Sequence, residues 1–221
     1  MISTINDFLL YCLAAGHGID ITEFYHVEKI SGIIIPFIEG YVDVLGDGNC
    51  GFRVIADYVF GDQEQWRLTR VCIANELLAN RALYEYIYVD GVDAGYRRIM
   101  WDGGACNYDH WMIVIEDLFP IANLFNAAIM LFGYGSGRGL YSCYTVLPLQ
   151  APSTATRPSM EIVICHLGDS YMHYIRLNLV SDFPVPPICA AWFDSRSDSV
   201  VGWEQMYERR RAHWDRLASS M

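Results

Sequence analysis

The sequence predicts an α+β domain, with helices packed around a single mixed or mostly antiparallel sheet. Three observations lead there. Apolar residues recur at helical spacing through much of the first half, whereas four short segments from Ala127 onward read as strands. The chain has 221 residues, 53% of them hydrophobic, which is ample material for one packed core.

In chain order, Ile5, Phe8, Leu9, Cys12 and Leu13 share a helical period that Gly16 and Gly18 stop. "GIIIPFI" and "YVDVL" read as short extended runs on either side of Glu39-Gly40, with Pro36 marking an edge or irregular strand. A helix is expected from Cys50 to the residue before Gly61. Asp62, with Gln65 three residues on, caps the next helix, which runs through Leu68, Val71, Cys72, Leu77 and Leu78. "VDGVDAGYRR" and "WDGGACNYD" read as polar, glycine-bearing loops, and Asp109 caps a helix from His110 that Pro120 ends or kinks. "AAIMLFG", "LYSCYTVLPL", "MEIVICH" and "YMHYIRLNL" are the four strands, the last two joined by a tight "LGDS" turn. "WEQMYERRRAHWDRL" is an amphipathic helix with Trp203, Met206, Tyr207, Trp214 and Leu217 along one side. The chain thus divides into an N-terminal helical extension packed on the domain (1–32), a main domain (33–205) and a C-terminal amphipathic helix (206–221).

Composition narrows the function. The net charge is −11, from 26 acidic and 15 basic residues. Nucleic acid is therefore not the expected ligand, because binding it rests on neutralising phosphates, while a basic partner is allowed. No apolar run reaches membrane-spanning length, so no membrane role is expected. "FLLYCLAAG" follows Asp7 and no basic residue, and reads as a buried helix rather than a signal peptide. The seven cysteines are scattered and odd in number, which suits reduced thiols in an intracellular compartment, cytoplasmic or nuclear. "CNYDH" and the adjacent Cys165-His166 lack paired metal-ligand spacing, and "GYGSGRG" lacks the Lys-Ser/Thr of a phosphate loop. Neither a metal nor a cofactor is expected.

One stretch asks for chemistry. "VLGDGNC" places Cys50 behind Asp47-Gly48-Asn49 and at the start of a helix. There, unpaired N–H groups and the helix dipole favour an anion, lowering a thiol pKa from about 8.5 toward neutrality. Gly48 gives the backbone freedom for a sharp turn, and the Asp47–Asn49 segment presents N–H groups to a developing oxyanion. Asp47 holds that loop in shape by accepting backbone hydrogen bonds. The same residues also fit a simple turn, with Cys50 filling a gap in the core. A cysteine nucleophile needs a histidine base oriented by a third group. Of six histidines, His173 differs in lying mid-strand, with Tyr171 and Ile175 on its face. Alone it fits a core or surface role equally; a partner thiol makes it a base.

"DGNCGFR" ahead of a helix and "MHYIRL" on a late strand resemble the ovarian-tumour (OTU) family of cysteine proteases. The wider stretches "IPFIEGYVDVLGDGNCGFRVIADYVFG", "DHWMIVIEDLFPIANLFNAAIMLF" and "FPVPPICAAWF" resemble the OTU-like domains associated with transposable elements and their relatives in plants and fungi. The resemblance covers about residues 33–205. It implies a papain-like α+β fold and a thiol-dependent deubiquitinase with ubiquitin or polyubiquitin chains as partner. Cys50 would be the nucleophile, His173 the general base and later acid, and Asp47 the shaper of the oxyanion loop. Many members carry Asp or Asn two residues from the histidine. Here those positions are Tyr171 and Ile175, leaving Asp169, Asn178 or a backbone carbonyl to orient the ring. That departure keeps open a weak or inactive ubiquitin-binding module, and a protease for another ubiquitin-like modifier is a further alternative. An acidic cleft would suit the arginines before ubiquitin's terminal glycines, with Glu39, Asp43, Asp102 and Asp109 available to line it.

Overall fold

Five strands form one sheet whose spatial order departs from chain order. In the computed structural model, which describes residues 30–133, 143–168 and 172–220, the strands are β1 (Ile38–Asp43), β2 (Ala127–Gly133), β3 (Tyr144–Val146), β4 (Met160–Leu167) and β5 (His173–Leu179). They lie in the order β1-β5-β4-β2-β3. The β2–β4 pair is parallel, and β1–β5, β4–β5 and β2–β3 are antiparallel, so the sheet is mixed. β2 is buried along its whole length, as expected of a central strand covered on both faces. The first predicted helix and extension up to residue 29, most of "GYGSGRG", and Asp169, Ser170 and Tyr171 of the predicted turn lie outside the described residues.

Seven helices accompany the sheet among the described residues: α1 (Cys50–Phe60), α2 (Trp66–Ala79), α3 (Arg81–Tyr84), α4 (Val92–Ile99), α5 (Leu118–Phe125), α6 (Ala190–Ser195) and α7 (Glu208–Ala218). Together they give the predicted α+β class. α1 starts and stops as the sequence predicts, with Gly61 at φ +70° closing it in the left-handed conformation that glycine adopts without strain. Phe52, Val54, Ile55 and Ala56 bury α1 in the core. Tyr58 fastens it to the sheet: its hydroxyl lies 3.0 Å from Val163 N, 3.2 Å from Val163 O and 3.2 Å from Leu177 O. Because β4 and β5 supply those groups, α1 is held at a fixed place against the strand that carries His173.

Several elements differ from expectation. Ile35–Phe37 is a 3-10 turn rather than an extended run, and β1 then passes straight through Glu39-Gly40. A register shift between Ile38 and Gly40 leaves Glu39 as the extra residue, while Gly40 pairs with Asn178. "VDGVDAGYRR" is not a loop but supplies α4, an amphipathic helix entered from Gly91 at φ +83°. His110 ends a 3-10 turn, and the helix begins only at Leu118, so Pro120 falls in its first turn, where a missing N–H costs nothing. Of the positions the sequence marks on α2, Leu77 is buried as expected, but Leu68, Val71 and Leu78 turn to solvent, and Trp66, Thr69, Arg70 and Ile73 are buried with Leu77. The reason is polar and lies at the site described next.

Candidate active site

The loop before α1 is built by hydrogen bonds. Asp47 Oδ1 accepts from Asn49 N at 2.9 Å and from Arg53 Nε at 3.2 Å, while Oδ2 accepts from Arg53 Nη2 at 2.8 Å. Arg53 continues to Glu64 at 2.8 Å, tying the loop to the following turn. Burial pushes the Asp47 carboxyl up, but the bonds from Arg53 and Asn49 outweigh it and hold it below the ordinary carboxylate value. On the main chain, Asp47 O accepts from Cys106 N at 2.8 Å. Gly48 crosses at φ +84°, and a Cβ there would lie 2.2 Å from Cys106 O and 2.7 Å from Trp111 Nε1. Only glycine fits that gap.

Asn49 is fully buried and wholly committed to the protein. Its Oδ1 accepts from Arg70, its Nδ2 donates to Gly104 O at 3.2 Å, and its N–H serves Asp47. Among the described residues, the N–H groups of Gly48 and Cys50 on either side of it donate to no carboxylate or carbonyl, the Cys50 N–H acting instead on its own sulfur.

Cys50 opens α1 but is only 6% exposed. The expected lowering of its thiol pKa by the helix N-terminus is overturned: burial pushes the thiol up, and the Asp47 charge adds to this. The N–H groups of Tyr174 and Gly51 aimed at the sulfur only partly oppose it. The contact with Tyr174 N–H puts the sulfur beside the residue that follows His173. A buried thiol of this kind rests protonated and needs a base to release its proton.

His173 is buried at the start of β5, with its Nε2 2.8 Å from Asp43 Oδ1. An ionised carboxylate can only accept, so Nε2 carries the hydrogen in this pair. Nδ1 then lies on the side of Gly46, where a Cβ would come within 3.7 Å of it. Asp43 is the residue the sequence reading passed over as orienting group: it stood there only as one of four acids for the cleft. Asn178 instead accepts from Arg176 Nε at 3.2 Å, and Asp169 lies outside the described residues. The register explains the substitution. Asp43 pairs across the β1–β5 ladder with Ile175, the position two residues beyond the histidine. Directly opposed residues in an antiparallel pair share a face, so an acid on β1 reaches the same ring that an acid at 175 would reach. Strand alternation places Asp43 on one face with Tyr41, but only the β1–β5 register, which sequence does not state, puts that face against His173.

A cavity of about 470 Å³ is lined among others by Tyr88, Arg98, Asp109, Trp111, Met112, Glu116 and Tyr174; Cys50 itself does not line it, but Met112 and Tyr174 lie between the two. Met112 packs on Gly51 so closely that a Cβ there would meet it at 2.6 Å. The loop carrying Trp111 and Met112 is anchored by fully buried Asp117, which accepts from Arg98 at 2.6 and 2.9 Å, Tyr88 Oη at 2.9 Å and Ile113 N at 2.8 Å. Asp109 and Asp90 line the cavity, whereas Asp43 belongs to His173, and neither Glu39 nor Asp102 is among its lining residues. The residues once weighed for metal are engaged otherwise: Cys106 contacts Asn49 and Arg70, His110 stacks on Trp101, and Cys165 is sealed in the core.

No protein-family model matches the sequence, and no curated protein is significantly similar to it. Among solved structures the chain is similar to the OTU domain of OTUD1, at 20% identity over 62% of this chain and 84% of that one, with a TM-score of 0.46. It is also similar to the viral OTU domain protease from Farallon virus, at 18% identity over 69% and 89%, TM-score 0.43. A third is the Hazara virus OTU bound to ubiquitin, at 14% identity over 69% and 88%, TM-score 0.42. Each of these three is an OTU domain.

Proposed function

We propose that this chain is a thiol-dependent deubiquitinase that cleaves the bond after the C-terminal glycine of ubiquitin. The observation that carries the reading is His173 Nε2 held at 2.8 Å by Asp43, on the strand whose next N–H acts electrostatically on the Cys50 thiol. In that arrangement His173, oriented by Asp43, takes the thiol proton. The sulfur attacks the glycyl carbonyl carbon, and the oxyanion is met by the N–H groups of Gly48 and Cys50. The imidazolium, held by Asp43, then protonates the leaving lysine amine as the carbon–nitrogen bond breaks. Water deprotonated by His173 attacks the thioester and restores the thiol. A binding-only reading is motivated by the missing acid at 171 and 175; Asp43 at 2.8 Å from His173 supports the hydrolase reading instead.

Ubiquitin as substrate rests on the resemblance of the motifs, on the charge of −11 and on the neighbouring cavity. Asp90 and Asp109 would meet basic side chains of the tail, and Trp111 and Met112 would form an apolar wall. The test is a ubiquitin with a thiol-reactive C-terminus, incubated with wild type, Cys50→Ala and His173→Ala. The expected result is one covalent adduct, absent in Cys50→Ala and slowed about 100-fold in His173→Ala. Folded wild type that forms no adduct with ubiquitin, but does with another ubiquitin-like modifier, would transfer the reaction to that modifier. No adduct with any of them would overturn the proposal.

A further inference from the structure

Arg70 is 1% exposed, on a face of α2 that apolar periodicity did not assign to the interior. Its Nε and Nη2 both donate to Asn49 Oδ1, at 3.1 and 2.8 Å. Nη2 also donates to His110 O at 2.8 Å and Nη1 to Ile99 O at 3.1 Å, and the guanidinium lies 3.8 Å over the Phe52 ring. Every one of these acceptors is neutral. The nearby carboxylates are taken by other arginines, Asp47 by Arg53 and Asp117 by Arg98, and among the described residues Arg70 makes no ion pair. Burial draws its pKa down to about 10, which still leaves it charged at neutral pH. Nη2 also reaches Cys106 Sγ at 3.6 Å, and Asp117 and Asp47 favour its charge only from a distance. A buried cation with no directly paired carboxylate is costly to keep, and a core alone does not require it.

Asn49 lies between the two N–H groups that meet the oxyanion. Fixing its side chain steadies the Asn49–Cys50 peptide and with it the direction of the Cys50 N–H bond, while the Gly48 N–H belongs to the Asp47–Gly48 peptide, whose carbonyl-side neighbour Asp47 is held by its own bonds to Asn49 N and Cys106 N. We propose that Arg70 is a positioning residue for acyl transfer: acting through Asn49, it sets the oxyanion-binding backbone and places a buried positive charge behind it. This rests on the reading of Cys50 as an acyl-transfer nucleophile. The charge favours the tetrahedral state, in which negative charge appears in front of the loop, over the uncharged ground state.

The test uses Arg70→Met and Arg70→Lys in the full chain, with three readouts. Turnover of a ubiquitin C-terminal amide gives kcat and KM. The thiol of Cys50 adds to an Arg-Gly-Gly aldehyde to give a tetrahedral hemithioacetal whose oxygen, bearing the proton or leaving it on His173, occupies the hole without needing ubiquitin. Iodoacetamide alkylates Cys50 with no oxyanion at all. For Arg70→Met, kcat is expected to fall about 100-fold and aldehyde affinity to fall with it, while KM and the alkylation rate stay within about twofold. Lysine keeps the charge but cannot span Asn49 and the carbonyls, so Arg70→Lys recovers part of the loss. If Arg70→Met does not fold, the same split in Arg70→Lys decides the matter. Alkylation falling in parallel with kcat would make Arg70 merely structural, and unchanged kcat with unchanged aldehyde affinity would also overturn the proposal. Wild type that alkylates at Cys50 but does not turn over ubiquitin counts against the function proposed above, and Arg70 is then judged on the aldehyde alone.

Discussion

Asp43 is half exposed, with 50% of its side chain open to solvent, while the histidine it holds is buried. Water can therefore stand in for the carboxylate when it is removed, but cannot fix the ring. Asp43→Ala is expected to lower kcat about 100-fold with little change in KM, and Asp43→Asn to lower it less, because an amide oxygen still accepts from Nε2. Steady-state kinetics on a ubiquitin amide checks both. Gly48→Ala forces a Cβ into the Cys106 carbonyl and a side chain onto a positive φ, so turnover is lost and stability falls by about 1–3 kcal/mol in denaturant titration. Asp47 adds a pH dependence. Its carboxyl is held below its unfolded value, so its contribution is complete above about pH 4 and is lost as pH falls through the depressed folded value. In Asp47→Asn the decline of stability in that acid window is accordingly shallower, as thermal melting at a series of pH values would show.

At the scale of elements, catalytic geometry depends on how α1 sits against β4 and β5. Tyr58 supplies that link through three short contacts, and Arg176 adds a second by pairing with Asp57 at 2.8 Å and lying 4.2 Å over the Tyr58 ring. Tyr58→Phe leaves the Val163 N–H buried without a partner, and is expected to cost about 1–3 kcal/mol, with a rise in the mobility of Cys50 relative to His173. Chemical denaturation measures the first, and hydrogen exchange at Val163 the second. This scale also marks what the sequence made legible. α1, β2, β4 and β5 were readable because an apolar pattern of the right period coincided with a glycine or turn at each end. α4 was hidden because Gly95 and its charges look like a loop; the glycine is there because Tyr88 packs against it. The buried face of α2 was misread because hydrogen bonding to Asn49, not hydrophobicity, decides which side of that helix faces in. Cys50, Asp47 and His173 could be singled out from local motifs, whereas Asp43 and Arg70 depend on pairing and packing between distant segments.

At the scale of the whole molecule, an excess of eleven negative charges sets a long-range field that draws a basic partner and falls away with salt. Raising ionic strength from about 50 mM to 500 mM is expected to lower kcat/KM for a ubiquitin substrate several-fold through KM, leaving kcat in place. Iodoacetamide, being uncharged, should alkylate Cys50 at a rate that salt does not change. The ladder between β1 and β5 has a further consequence, which concerns descent rather than mechanism. Position 43 and position 175 face each other, so an ancestor carrying acids at both would have two supports for one imidazole. Either could then be given up while the other kept the ring in place. The orienting carboxylate can thus pass from one strand to its neighbour by single substitutions, with no inactive step along the way.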